Sequence, residues 1–188
     1  MIIARLDQVL GRIERLFALL AALILLFVMS IVSLDVVMRY AFNRPLGWTY
    51  DLISLYLMTA LFYLVLSRTF VEGAHISVDI LEGRFPPPVR RFCHGAVALI
   101  SASIFGLISW LVAGRTWDDY AAGAATSGAI LWPTWLSEVL VPVGAGLLTL
   151  RLLLHAAAHF GSLVTGRNLV PLPAPAGSAA AVAKGGFE

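Results

Sequence analysis

Long apolar runs alternate with short polar segments along most of this chain. The runs cover about residues 16–37, 48–66, 89–113 and 135–157. Each is roughly 20 residues long, which is the length that an α-helix needs to cross a hydrocarbon core of about 30 Å. Helices satisfy their backbone polar groups internally, whereas an open strand beside lipid does not. The pattern therefore predicts an all-α integral membrane protein with four transmembrane helices.

The two ends of the chain differ in character. Arg5, Arg12 and Arg15 precede the first apolar run, as in a secretory signal. That run is longer than a signal core and no small-residue cleavage pattern follows it, so we expect a retained first span. Residues 168–188 are mostly Pro, Ala and Gly, which offer little to bury. We predict a four-span membrane domain over residues 1–167, followed by a disordered tail.

Composition and charge agree with a membrane protein. Hydrophobic residues make up 60% of the 188-residue chain and charged residues only 13%, which excludes an ordinary soluble domain. Of the 13 lysines and arginines, only Arg39, Arg44 and Arg115 fall on the predicted side opposite to the termini. Because basic residues concentrate in cytoplasmic loops, we expect both termini in the cytoplasm. There is no basic patch of the kind that binds nucleic acid.

The charged residues lie near the ends of the apolar runs and not in their middle. Asp35, for example, comes four residues before Arg39, a spacing that permits an ion pair along one helix. Ionisable groups at the bilayer midplane mark ion and proton pathways, so this chain is a poor candidate for an ion-coupled carrier by itself. The loops contain no nucleophile elbow, Walker loop or His-Glu-x-x-His motif. We predict no enzymatic activity and no catalytic, cofactor or metal site.

Three histidines leave a second interpretation open. His94 begins the third run, and His155 and His159 end the fourth, all on the same predicted side of the membrane. Imidazoles on facing helices of a four-helix bundle can hold haem. The alternative function is therefore a haem- or quinone-associated membrane anchor of an oxidoreductase.

The second loop opens with the segment SRTFVEGAHISVDILEG, residues 67–83. Its polar residues alternate as in a strand, but at helical spacing Glu72, His75 and Asp79 share one face. A lone strand beside lipid would leave backbone groups unpaired, and one histidine with carboxylates makes a loose metal site at best. We therefore expect a short amphipathic cytoplasmic helix. In it, Arg68, His75 and Asp79 form a structural joint, because His75 and Asp79 can hydrogen-bond at i and i+4.

Several short motifs follow one another from the first run to the last. They are Arg39-Tyr40, Pro45, Trp48, an acidic residue at Asp51, Arg68, the string EGAHISVDIL, WPTW at residues 132–135, Pro142-Val143-Gly144 and Arg151. In this order they resemble the small, DctQ-like membrane subunit of tripartite ATP-independent periplasmic (TRAP) transporters. The Gly-x-His-Ile-x-Val-Asp string is the most specific of them. That family usually has Glu where this chain has Asp51, which keeps the charge but shortens its reach.

The resemblance implies a partnership. A periplasmic binding protein captures an organic acid and delivers it to a large permease, which moves it with sodium. The small subunit packs against the permease in the bacterial inner membrane and helps to form the docking surface. We accordingly expect partner contacts from the first and third loops, at Arg39, Arg44, Trp48, Asp51, Arg115, Trp117, Asp118 and Asp119. Solvated loop charge is the other interpretation of these residues, because exposed ion pairs often contribute under about 1 kcal/mol.

Overall fold

The computed structural model describes residues 2–72, 85–126 and 130–165. Its helices are α1 (Ile2–Phe42), α2 (Thr49–Asp51), a π-helical segment (Leu52–Leu57), α3 (Met58–Val71), α4 (Pro87–Ala122), α5 (Thr134–Glu138) and α6 (Leu140–Thr165). Within these residues, four stretches are long and apolar enough to cross a membrane, and we call them spans one to four: Leu6–Phe42, Thr49–Val71, Pro87–Ala122 and Thr134–Val164. The prediction of an all-α fold with four transmembrane helices is confirmed.

Spans one and three extend beyond the apolar runs that predicted them. Before the first run, Arg12, Glu14 and Arg15 are good helix formers, so the helix of span one continues where the hydropathy falls. α4 begins at Pro87, where a missing backbone N–H costs nothing. It ends at Ala122, and Gly123, with a φ of 62°, provides a left-handed cap. We call the side on which α1 begins and α6 ends the terminus side, and the side of the first and third loops the loop side.

Spans three and four pack closely because small residues line their contact. Ala98, Ala102 and Gly106 follow one another at intervals of four on α4, the spacing that lets two helices approach in a membrane. A Cβ at Gly106 would lie 3.3 Å from the Thr149 methyl carbon of α6. Nearby, Ser109 Oγ donates a hydrogen bond of 3.0 Å to the Pro142 carbonyl oxygen. Spans three and four thus form the most extensive helix contact of the bundle.

Span two joins the other helices from two directions. On one side it meets span four at Gly144, where any Cβ would collide with the Tyr63 carbonyl group. On the other side Ala60 and Leu64 pack against Ala21 of span one. These contacts make span two the link between span one and the pair formed by spans three and four.

The second loop is only partly described. The helix α3 runs through Val71, so the first residues of the segment 67–83 are helical. His75 and Asp79 lie outside the described residues, as does the tail after residue 167. The amphipathic helix, the structural joint and the disordered tail therefore stay predictions.

Candidate functional site

A carboxylate at the end of span one organises the first loop. Asp35 Oδ2 accepts a hydrogen bond of 2.8 Å from Arg39, and Asp35 Oδ1 accepts one of 2.8 Å from the Leu46 backbone N–H. The ion pair that the spacing of Asp35 and Arg39 predicted is confirmed. Between these anchors Asn43 has a φ of 53°, in the left-handed region that asparagine tolerates. The loop is thus a defined turn that presents Arg39 to solvent.

The remaining predicted residues of the first loop are less constrained. The side chain of Arg44 is exposed, and Trp48, which precedes α2, is 37% exposed. Asp51 ends α2 and caps no backbone N–H of the π-helical segment with its side chain. Within the described part of the chain, neither Arg44 nor Asp51 has an ion-pair partner. Both charges are available to a partner or to water.

The third loop folds back onto span two around the WPTW motif. The Tyr56 hydroxyl donates a hydrogen bond of 2.5 Å to the Pro133 carbonyl oxygen, and the Tyr56 ring lies 5.6 Å from that of Trp132. The Thr126 backbone N–H donates to the Trp132 carbonyl oxygen at 2.9 Å. Tyr56 was not among the predicted site residues. Its place in the middle of an apolar run, where a hydroxyl needs a partner, was the signal that could have identified it.

Two of the predicted third-loop residues have partners inside the protein. Asp119 accepts a hydrogen bond of 2.8 Å from the Thr134 hydroxyl, at the start of α5. Arg115 Nε lies 3.3 Å from Glu138 Oε1, at the end of α5. Both contacts join the end of α4 to the start of span four. Asp119 and Arg115 therefore shape the loop-side surface and are not simply free charges on it.

The other two third-loop residues face outward. Trp117 is 69% exposed, and its ring lies 6.0 Å from that of Tyr120. Asp118 is exposed and has no ion pair or side-chain hydrogen bond among the described residues. The structure brings Arg115, Trp117, Asp118 and Asp119 together at the end of α4. It joins none of them by an ion pair to the first loop within the residues described.

A buried network that the sequence interpretation missed ties the terminus side together. Glu14 is fully buried, and its Oε1 accepts a hydrogen bond of 2.6 Å from Ser67 Oγ. Arg151 Nε lies 3.6 Å from the same oxygen, and Arg151 Nη1 also contacts Asp7. These contacts connect spans one, two and four at one level. Glu14 lies on the same stripe of α1 as the buried residues Leu10, Ala21, Val28 and Ile31. A glutamate on an otherwise apolar stripe was the sequence signal for a buried polar contact.

The second-loop residue Arg68 makes a different contact. Its Nε lies 2.7 Å from Glu72 Oε1, four residues further along the same helix. Both side chains are partly exposed, so this pair contributes under about 1 kcal/mol. The predicted partners His75 and Asp79 lie outside the described residues.

Three histidines cluster where spans three and four reach the terminus side. The rings of His94 and His159 stack with centroids 5.5 Å apart, and His155 lies 4.5 Å from His159. A bis-histidine haem needs two imidazoles that point at one iron from opposite faces of a porphyrin. The haem-associated anchor of the alternative function stays a prediction. Among the described residues, no group of three or more His, Cys, Asp or Glu could hold a metal ion.

Comparison with known proteins gives an independent finding. The family of DctQ components of tripartite ATP-independent periplasmic transporters matches residues 28–161, from the middle of span one to near the end of span four. A TRAP transporter small permease protein of Haemophilus influenzae is 31% identical over 102 residues. The match covers 53% of this chain and 63% of that protein, so less than two thirds of the relative's length is spanned. No solved structure matches this chain significantly.

Proposed function

Since this chain belongs to the DctQ family of tripartite ATP-independent periplasmic transporters, we propose that it packs against a large permease and helps a periplasmic binding protein to dock. The chain is the small, multi-pass membrane subunit of such a transporter. In the proposed assembly the permease carries sodium and an organic acid across the bacterial inner membrane. The observation that carries the proposal is the family match, which runs from the middle of span one through spans two and three to near the end of span four.

The uncovered surface of span three supports a large membrane partner. Its exposed apolar residues recur at intervals of three and four, so that they form one stripe along the helix. They are Val97, Ile100, Ile104, Leu107 and Leu111, and each is more than half exposed. In a bilayer such a stripe meets either lipid or another membrane protein. We propose that the permease packs against an exposed apolar stripe such as this one.

The loop-side surface supports docking of a soluble partner. Asp118 and Trp117 project from the end of α4, which the contact of Asp119 with Thr134 holds in place. A charge and a large aromatic ring on a rigid support are the features that soluble partners commonly recognise. The excess of basic residues on the terminus side favours a periplasmic position for this surface.

Co-purification tests the proposal directly. The tagged chain is expressed together with a large TRAP permease and a periplasmic binding protein from the same organism. We expect the large protein to be retained with the chain in detergent, and uptake of an organic acid to require both membrane components. Failure to retain the large protein would contradict the proposed packing. Uptake by the purified chain alone, in liposomes with a sodium gradient, would contradict its role as an auxiliary subunit.

A further inference from the structure

An open groove of about 440 Å³ lies between spans one and two. One wall is a stripe of α1, where Ala18, Ala22 and Leu25 follow one another at intervals of four and three. The other wall is a stripe of α3 that includes Leu61 and Val65. Because the alanine side chains are short, the two helices do not fill the space beside their contact.

Two arginines close one end of this groove, at the terminus side. Arg15 Nε donates to the Gly11 carbonyl oxygen at 3.2 Å, and Arg68 Nε pairs with Glu72 Oε1 at 2.7 Å. Among the described residues, neither guanidinium uses its terminal amino groups for another acceptor. The residues that line the groove therefore carry two positive charges, on Arg15 and Arg68, and one negative charge, on Glu72. The excess charge favours an anion, and guanidinium groups match a phosphate particularly well.

The depth of the groove corresponds to one leaflet of a bilayer. Along α1, ten residues from Arg15 to Leu25 rise about 15 Å, which is half of a hydrocarbon core of about 30 Å. No charged residue lies between Arg15 and Asp35, so Arg15 stands at the boundary of the apolar region. The charged end thus lies at the level of lipid headgroups, and the apolar walls run from there toward the middle of the membrane.

We propose that this groove binds one anionic phospholipid from the leaflet on the terminus side. Arg15 and Arg68 bind the phosphate with their terminal amino groups, and an acyl chain lies between the alanine stripe of α1 and the leucine and valine of α3. The bound lipid fills the space between spans one and two and adds to their contact. This site does not depend on the transport partners, because it is formed by this chain alone.

A helix of another protein fits the same groove less well. A helix is about 10 Å wide with its side chains, whereas this groove is opened only by the short side chains of a single alanine stripe. A partner helix would also need a carboxylate at the level of Arg15 and Arg68, whereas every anionic phospholipid carries its phosphate at that level. The charge at headgroup depth therefore favours the lipid.

Native mass spectrometry of the purified full-length chain tests the proposal. The chain in detergent is titrated with phosphatidylglycerol or with phosphatidylcholine of the same acyl chains. We expect one tightly bound phosphatidylglycerol, and about tenfold weaker binding of it by Arg15→Gln or Arg68→Gln, since each variant loses charge-assisted hydrogen bonds. Inorganic phosphate should not compete, because it lacks the acyl chain. Competition by phosphate at similar concentration would overturn the lipid assignment.

Two matched controls separate this site from general attraction to lipid. Arg12→Gln removes an exposed arginine of the same helix that does not line the groove and should leave the affinity unchanged. Ala22→Leu fills the groove and should weaken binding at least tenfold, whereas Ala113→Leu, at an exposed position of α4, should not. Equal loss from Arg12→Gln and Arg15→Gln would overturn the proposal. So would unchanged binding to Ala22→Leu, or a cross-link from Ala22→Cys to the permease in the assembled complex.

Discussion

Ser67 of span two donates a hydrogen bond of 2.6 Å to the fully buried carboxylate of Glu14 in span one. Glu14 also lies against the guanidinium of Arg151 in span four, at 3.6 Å. A buried carboxylate is tolerated only when it is paired and hydrogen-bonded. This contact therefore makes the packing of three helices depend on one side chain that lies in an arginine-rich segment.

Removal of the Glu14 charge should destabilise the bundle. Glu14→Ala leaves the mostly buried Arg151 with Asp7 alone and leaves Ser67 without its acceptor. Breaking a buried pair by removing one partner costs about 3–5 kcal/mol, so we expect a clear fall in the thermal unfolding midpoint in detergent. The double variant Glu14→Gln with Arg151→Gln should recover part of the loss, because no buried charge is left unpaired and the Asp7 carboxylate that also loses Arg151 is exposed to water. Asp118→Asn is the control, and an equal shift in that variant would contradict the prediction.

Gly144 should tolerate no side chain. A Cβ at this position would collide with the Tyr63 backbone carbonyl, which cannot move away as a flexible side chain can. We expect Gly144→Ala to cost about 1–3 kcal/mol through overpacking, measured as a lower unfolding midpoint and weaker protection of span two in hydrogen exchange.

Gly114→Ala is the matched control for that substitution. Gly114 also lies within a helix, but nothing lies within 4 Å of the Cβ that alanine would add. Alanine has the higher helix propensity, so this variant should be neutral or more stable by up to about 1 kcal/mol. If Gly144→Ala were as stable as Gly114→Ala, spans two and four would not approach each other as closely as they do in the structure.

The hydroxyl of Tyr56 should hold the third loop on span two. Tyr56→Phe removes the hydrogen bond to the Pro133 carbonyl oxygen and keeps the ring beside Trp132. The net loss is about 1 kcal/mol, and it should appear as faster hydrogen exchange at the Thr126 amide. Tyr63→Phe is the control, since the Tyr63 hydroxyl makes no hydrogen bond within the described residues. Equal exchange in the two variants would count against the anchoring role.

Charge reversal at the end of α4 should separate docking from folding. Asp118→Lys changes an exposed side chain without a partner among the described residues, so stability should stay within about 0.5 kcal/mol. If this residue meets the binding protein, uptake should fall while the complex with the permease survives. Asp119→Asn weakens the contact with Thr134 and should affect stability as well. Unchanged uptake by Asp118→Lys would remove Asp118 from the proposed docking surface.

The sequence by itself determined the class of the protein and its spans. Lipid is a uniform apolar solvent, so the length of each uncharged run is enough to predict a membrane helix. The ion pair of Asp35 with Arg39 was predictable for a similar reason, because it depends only on spacing within one helix. The short motifs within and between these runs carried the family resemblance.

Only the tertiary structure decided which side chains meet across helices. The burial of Glu14 with Ser67 and Arg151, and the contact of Tyr56 with Pro133, depend on the rotation and height of each helix. In lipid the hydrophobic effect hardly distinguishes one apolar face from another, so close packing and polar contacts set that arrangement. Hydropathy reports how deep a residue lies, but it does not report which neighbour the residue faces.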